Sequence, residues 1–221
     1  MNEYSFIVWQ NHCMAATAKN TRRTASREKR RRQLIDATME CIARKGMSST
    51  SIGDVAKEAG LSQGIVNLHF KSKENLLTET LRHLADDYKS QFNKTYEKSG
   101  PGAADKLLAL VQLDLRPAII DKQKIAVWFA FWGEVKSRPT YRKICDERDQ
   151  YYDEIIESLC ATIIEEGGYK NISPRNVGIS LNSITNGMWL SYLISPRTFR
   201  RDEAMAALND LLHRYFPKNF S

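Results

Sequence analysis

Apolar residues recur at the helical period through almost the whole chain, and no stretch alternates apolar with polar residues long enough to make a strand. That pattern restricts the fold to helices packed on helices. Leu34, Ala37, Thr38, Cys41 and Ile42 fall at i, i+3, i+4, i+7 and i+8, which gives a helix from Glu28 onward one inward face, and Gly46 ends it. Further helices are predicted at Lys73 to Ser99, Ala103 to Leu115, Asp121 to Lys136, Pro139 to Glu166, Pro174 to Ile194 and Arg201 to Tyr215. Gly100-Pro101, Arg116-Pro117, Arg138-Pro139, Gly167-Gly168, Ser173-Pro174 and Ser195-Pro196 all fall between these segments, and Pro139 and Pro174 suit a first helical position. The expected fold is all-α, with a three-helix head and a six-helix body.

Charge is distributed unevenly over this frame. The net charge is +7, and residues 1–73 hold 13 Lys and Arg against 6 Asp and Glu, whereas residues 74–221 hold 20 of each. A neutral body with a basic head fits a module that binds a polyanion, either nucleic acid or an anionic membrane surface. The segment Lys19 to Arg32 is the densest part, eight basic residues against Glu28 alone. It has no interleaved apolar face, which argues against docking on a membrane.

The head carries a helix-turn-helix pattern within SSTSIGDVAKEAGLSQGIVNLHFKSKENLL. Ser51, with Asp54 three residues on, resembles a capping box for a helix whose inward face is Ile52, Val55, Ala56 and Ala59. Gly60 supplies a tight turn, Leu61 plugs it, and Ser62 can cap a helix over Gln63 to His69 that turns Ile65, Val66 and Phe70 inward. The outward face is then Gln63, Gly64, Asn67 and His69. Gln and Asn can bond bidentately to adenine, and a glycine lets the backbone approach a base or phosphate. Lys71 and Lys73 stand where they can pair with phosphates, and the helix starts at Thr50, Ser51 and Ser62 present free N–H groups. Arg22, Arg23 and Arg30 extend the candidate DNA contacts into the basic stretch.

The stretch from about Arg31 to Leu77, especially TSIGDVAKEAGLSQGIVNLHFKSKENLL, resembles the DNA-binding domain of the tetracycline-repressor (TetR) family. The resemblance implies a dimeric regulator, usually a repressor, whose C-terminal domain binds a small effector that releases double-stranded DNA. It places base or phosphate contacts at Thr50, Ser62, Gln63, Gly64, Asn67, His69 and Lys73. Asn67 and Leu68 depart from the aromatic pair frequently found there, so the family's operator preference does not carry over. RRRQLIDAT, AGLSQGIVNLHF, WFAFWGEVKSRPTYR and NGMWLSYL extend the resemblance over nearly all of residues 30 to 216, toward the choline-responsive (BetI-type) repressors of glycine betaine synthesis. The implied division is a flexible basic extension at 1–24, a helix-turn-helix domain at 25–72, and an effector-binding and dimerisation domain at 73–221.

A quaternary ammonium has no N–H to donate, so a protein holds it with aromatic faces and a nearby carboxylate. Trp128, Phe131 and Trp132 lie at i, i+3 and i+4 with Glu134 two residues on, and Tyr151, Tyr152, Trp189 and Tyr192 come from the two helices expected to pack nearby. The candidate effector set is Trp128, Phe131, Trp132, Glu134, Tyr151 and Trp189. An aromatic stripe at this spacing is more often core packing than a ligand box, and Trp189 and Tyr192 equally suit a dimer contact, since the resemblance puts the interface on the last two helices.

Other classes find little support. The longest apolar run, Ile125 to Trp132, is 8 residues, against about 20 for a membrane span. Tyr4 to Trp9 lacks the charged start and the length of a secretion signal, and Met14 is an alternative start. Cys13, Cys41, Cys145 and Cys160 form no CxxC pair and read as reduced thiols of a cytoplasmic chain. The four histidines are scattered, and no metal-binding, nucleophile-elbow or phosphate-loop motif is present, so neither catalysis nor a cofactor or metal is expected. Two rival readings remain open: a regulator of the same family that senses a hydrophobic drug or acyl compound, and an architectural protein that binds DNA without sequence preference.

Overall fold

The computed structural model describes residues 26–220. The extension at 1–24, with Arg22 and Arg23, lies outside the described residues. Among the described residues there are nine helices and no strand: α1 (26–45), α2 (Ile52–Glu58), α3 (Gln63–Phe70), α4 (Lys73–Lys98), α5 (Ala103–Leu113), α6 (Lys122–Trp132), α7 (Pro139–Gly167), α8 (Pro174–Ile194) and α9 (Arg201–Tyr215). None is long and apolar enough to cross a membrane.

Local chemistry sets most of these limits. The capping box at α2 forms in both directions: Ser51 Oγ accepts from the Asp54 N–H, and the Asp54 carboxylate accepts from the Ser51 N–H at 2.8 Å. Ser72, Asp121 and Ser173 cap α4, α6 and α8 with side-chain oxygens. Pro139 opens α7, and Gly168 closes it at φ +63°, a conformation that any Cβ disfavours. One boundary differs from the sequence expectation. α6 stops at Trp132 rather than Lys136, because the chain then folds into successive three-residue turns, with the N–H groups of Glu134, Val135 and Ser137 bonded to the carbonyls of Phe131, Trp132 and Glu134.

α1, α2 and α3 close around Leu34, Ile35, Cys41, Ile42, Val55, Ala56, Val66 and Phe70, all buried. The turn between α2 and α3 works through Gly60 at φ +62°, while the Leu61 N–H donates to the Ala56 carbonyl at 2.9 Å. The start of α4 docks on this head. Leu76, Leu77 and Leu81 are buried there, Lys73 Nζ reaches the Met47 carbonyl at 3.5 Å, and Glu79 pairs with Arg31. The rest of α4 packs against α5, α6 and α7, and α8 lies along α7. α4 therefore belongs to both the head and the body. Arg138, just before α7, pairs with Glu74 of α4 at 2.9 Å and ties the body back to that junction.

Candidate DNA-reading face and ligand cavity

On the head, the buried and exposed faces of α3 separate cleanly. Val66 and Phe70 are buried, while Ser62, Gln63, Gly64, Asn67 and Leu68 are exposed, and His69 is half-buried. Lys71 is exposed just past the helix, Lys73 is half-buried at the start of α4, and Arg30 is exposed on α1. Ser51 is exposed at the α2 cap. Thr50 stands apart from this group: it is 2% exposed, and its hydroxyl donates to the Gly46 carbonyl at 2.8 Å. Burial and the Arg27, Arg31 and Arg30 charges lower the His69 pKa, so at neutral pH it faces outward as a neutral donor and acceptor. Leu68, 71% exposed, is a large apolar side chain in the middle of the face, and apolar groups in such a position can read a thymine methyl.

In the body, α4, α5, α7 and α8 enclose a cavity of about 60 Å³. Tyr88 and Phe92 come from α4, Tyr152 from α7 and Trp189 from α8, and all four rings line it. Tyr88 meets Tyr152 and Trp189 edge-on at 5.0 and 6.1 Å between centroids, and Phe92 lies 4.6 Å from Tyr152. Asp114, at the end of α5, supplies a carboxylate. It accepts from the Tyr88 hydroxyl at 2.5 Å, and its backbone carbonyl accepts from Trp189 Nε1 at 2.9 Å. Burial pushes the Asp114 carboxyl up from 3.8 to about 6, against the opposing pull of the Tyr88 hydroxyl and the Arg148 charge, so it is mainly ionised at neutral pH. Aromatic faces with one carboxylate make a box for a cation.

Arg148 of α7 is in the same wall. Its guanidinium lies 4.5 Å from the Trp128 centroid, 5.5 Å from Trp132 and 5.9 Å from Tyr88. Nε donates to Asp149 at 2.7 Å and Nη2 pairs with the same carboxylate, while the buried Nη1 has no partner among the described residues. Trp128 and Trp132 of the α6 stripe are thus engaged with the protein's own cation. Of the six candidate effector residues, Trp189 lines the cavity and the other five do not. Trp128 and Trp132 lie behind Arg148, and Trp132 stacks on Trp189 at 6.3 Å. Phe131 is fully buried against Tyr141. Glu134 lies past the end of α6 and accepts from Ser137 Oγ, and Tyr151 bonds to Asn93 on another side of α7. Sequence reasoning missed Tyr88, Phe92, Asp114 and Arg148. The first two are spaced i, i+4 on α4, an available signal, but Asp114 and Arg148 carry none, because their burial depends on long-range packing.

Comparison with known proteins follows the same division into head and body. Residues 34–80 match the family described as bacterial regulatory proteins, tetR family, and residues 103–217 match the BetI-type transcriptional repressor C-terminal domain. The HTH-type transcriptional regulator BetI of Paraburkholderia phymatum is 28% identical over 186 residues, covering 84% of this chain and 92% of the relative. Its counterpart in Burkholderia thailandensis is 29% identical over 189 residues, covering 84% and 93%. Among solved structures, a transcriptional regulator from Pseudomonas aeruginosa PAO1 aligns with a TM-score of 0.75 at 26% identity, over 86% of this chain and 94% of that one. A regulator from Saccharomonospora viridis in complex with choline aligns with a TM-score of 0.76 at 24% identity, over 84% and 96%.

Proposed function

The chain belongs to the TetR family of bacterial transcriptional regulators and, within it, to the BetI-type repressors, which are not enzymes, and from that premise we propose that choline or a related quaternary ammonium releases it from its operator. The genes under its control are those of glycine betaine synthesis or uptake. The observation that carries this reading is the cavity itself: Tyr88, Phe92, Tyr152 and Trp189 face a space that also holds the Asp114 carboxylate. Each ring contributes about 0.5–2 kcal/mol to a cation at its face, and the carboxylate balances the charge. The choline complex of the Saccharomonospora viridis regulator supports the same ligand class.

The protein acts as a homodimer with α8 and α9 at the interface. Ile179, Leu190 and Ile194 are exposed on α8 at 55%, 41% and 70%, an apolar face that a second copy would cover. The two heads then read half-sites about 34–36 Å apart in successive major grooves. The head residues proposed to touch DNA are Ser51, Ser62, Gln63, Gly64, Asn67, His69, Lys71, Lys73 and Arg30, with Arg22 and Arg23 adding phosphate contacts. Thr50, buried and bonded to the Gly46 carbonyl, steadies the turn that leads into α2.

The deciding experiment is an operator-binding assay with and without choline. Choline should weaken binding to a pseudo-palindromic site and leave binding to random DNA unchanged. Equal affinity for operator and random DNA would favour the architectural reading. Sequence-specific binding untouched by any quaternary ammonium would place the effector in another chemical class.

A further inference from the structure

Among the described residues, Arg148 is the only cationic residue lining the cavity, and its side chain is 8% exposed. Nε and Nη2 are used by Asp149, and the rings of Trp128 and Trp132 cover its faces. Nη1 has no acceptor among the described residues. A buried N–H of a charged group without an acceptor is costly, and an acceptor supplied there gains a charge-assisted hydrogen bond. Asp114 already accepts from the Tyr88 hydroxyl through its carboxylate and from Trp189 Nε1 through its backbone carbonyl.

Resting on the quaternary-ammonium reading of this cavity, we propose that Arg148 is a specificity-determining residue that reads a neutral oxygen on the ligand. The cavity would select an ammonium alcohol over both the alkyl ammonium of the same shape and the ammonium carboxylate. The acceptor has to be neutral because of the charge already present. Asp149 compensates Arg148, a bound cation compensates Asp114, and Asp153 adds a further carboxylate to the lining. An extra carboxylate on the ligand would leave this space with excess negative charge, where little water screens it. A ligand with no oxygen would leave Nη1 as it is, without an acceptor.

Calorimetry on the full chain with three ligands tests this: choline, propyltrimethylammonium, in which a methyl replaces the hydroxyl, and trimethylglycine, which carries a carboxylate. Choline is expected to bind at least tenfold more tightly than either of the others. Arg148→Met should shrink the gap between choline and propyltrimethylammonium to less than threefold. A purely structural role for Arg148 would weaken both ligands by the same factor and leave the gap intact, which would overturn the proposal. The comparison on the unaltered protein stands even if that variant fails to fold. If propyltrimethylammonium binds as well as choline, or trimethylglycine binds better, this proposal falls and the quaternary-ammonium reading survives. If none of the three binds, both fall together.

Discussion

The Arg148 guanidinium lies 4.5 Å from the centroid of the Trp128 ring, so the aromatic stripe of α6 is engaged with a cation belonging to the chain itself. A diffusible cation has to use the neighbouring rings of α4, α7 and α8. That displacement of the site by one layer determines which substitutions should disturb ligand binding and which should disturb only folding.

Asp114 is expected to trade stability for affinity. Its carboxyl is raised from 3.8 to about 6 in the folded chain. Between these values the folded state holds a proton that the unfolded state has lost, so this group favours folding below about pH 4 and that contribution disappears as pH rises through 6. The loss amounts to about 3 kcal/mol at most. Asp114→Asn should therefore raise the thermal midpoint of the ligand-free protein at pH 7 and weaken choline binding without abolishing it. In the unaltered protein, choline affinity should be level above about pH 7 and fall by up to tenfold per unit below about 6. Asp114→Asn should flatten that profile, and calorimetry across the range measures it.

Trp189 and Phe131 should separate in the opposite way. Trp189→Leu removes a ring from the cavity wall and should weaken choline by about 3- to 30-fold. Phe131→Leu, outside the cavity lining and packed on Tyr141, should cost about 1–3 kcal/mol of stability while the folded protein keeps its affinity. Paired denaturant titrations and calorimetry distinguish these outcomes.

On α3, Gln63→Ala or Asn67→Ala should cost about 1–3 kcal/mol against the operator with little change on random DNA. Leu68→Ala should relax preference for thymine at one position of each half-site, read by binding to a panel of single-base operator variants. Thr50→Val, by contrast, should lower stability by about 1 kcal/mol, because its buried hydroxyl serves the Gly46 carbonyl, with operator affinity retained.

Lys71 closes α3 at φ +62°, a region that a side chain disfavours by about 1–2 kcal/mol. Lys71→Gly should raise the unfolding free energy by up to about 1 kcal/mol after the glycine's extra entropy is counted. It should also remove a phosphate-pairing cation, reducing the slope of log K against log salt by about 0.9 per head. A parallel drop in stability would show that the lysine side chain packs on the head.

The head was largely legible in the sequence because its signals are local: the Ser51 and Asp54 cap, the Gly60 turn, and the apolar spacing of Val66 and Phe70. Helix limits in the body were legible for the same reason, wherever proline, glycine or a capping side chain marks them. α6 was the exception, since nothing in its period foretells the turns after Gly133. The cavity was less accessible. Trp189 carried an aromatic signal, but Arg148 looks like any charged residue of a long helix, and its burial under Trp128 and Trp132 depends on how α6, α7 and α8 pack. Asp114 resembles a helix-end acid, and its raised pKa comes from burial, which depends on helices distant from it in sequence.

The continuity of α4 has a further consequence for how such a chain can change over time. Leu81 is buried at the head junction and Tyr88 lines the cavity, seven residues apart on one unbroken helix. Seven residues return to nearly the same azimuth, within about 20°. Inserting one residue between them would rotate Tyr88 and Phe92 by about 100° relative to the head, and the ring wall would open away from Asp114. The two halves are thus locked in angular phase. A foreign body grafted behind this head should work only when its α4 joins at an equivalent azimuth, whatever the match of the surfaces elsewhere.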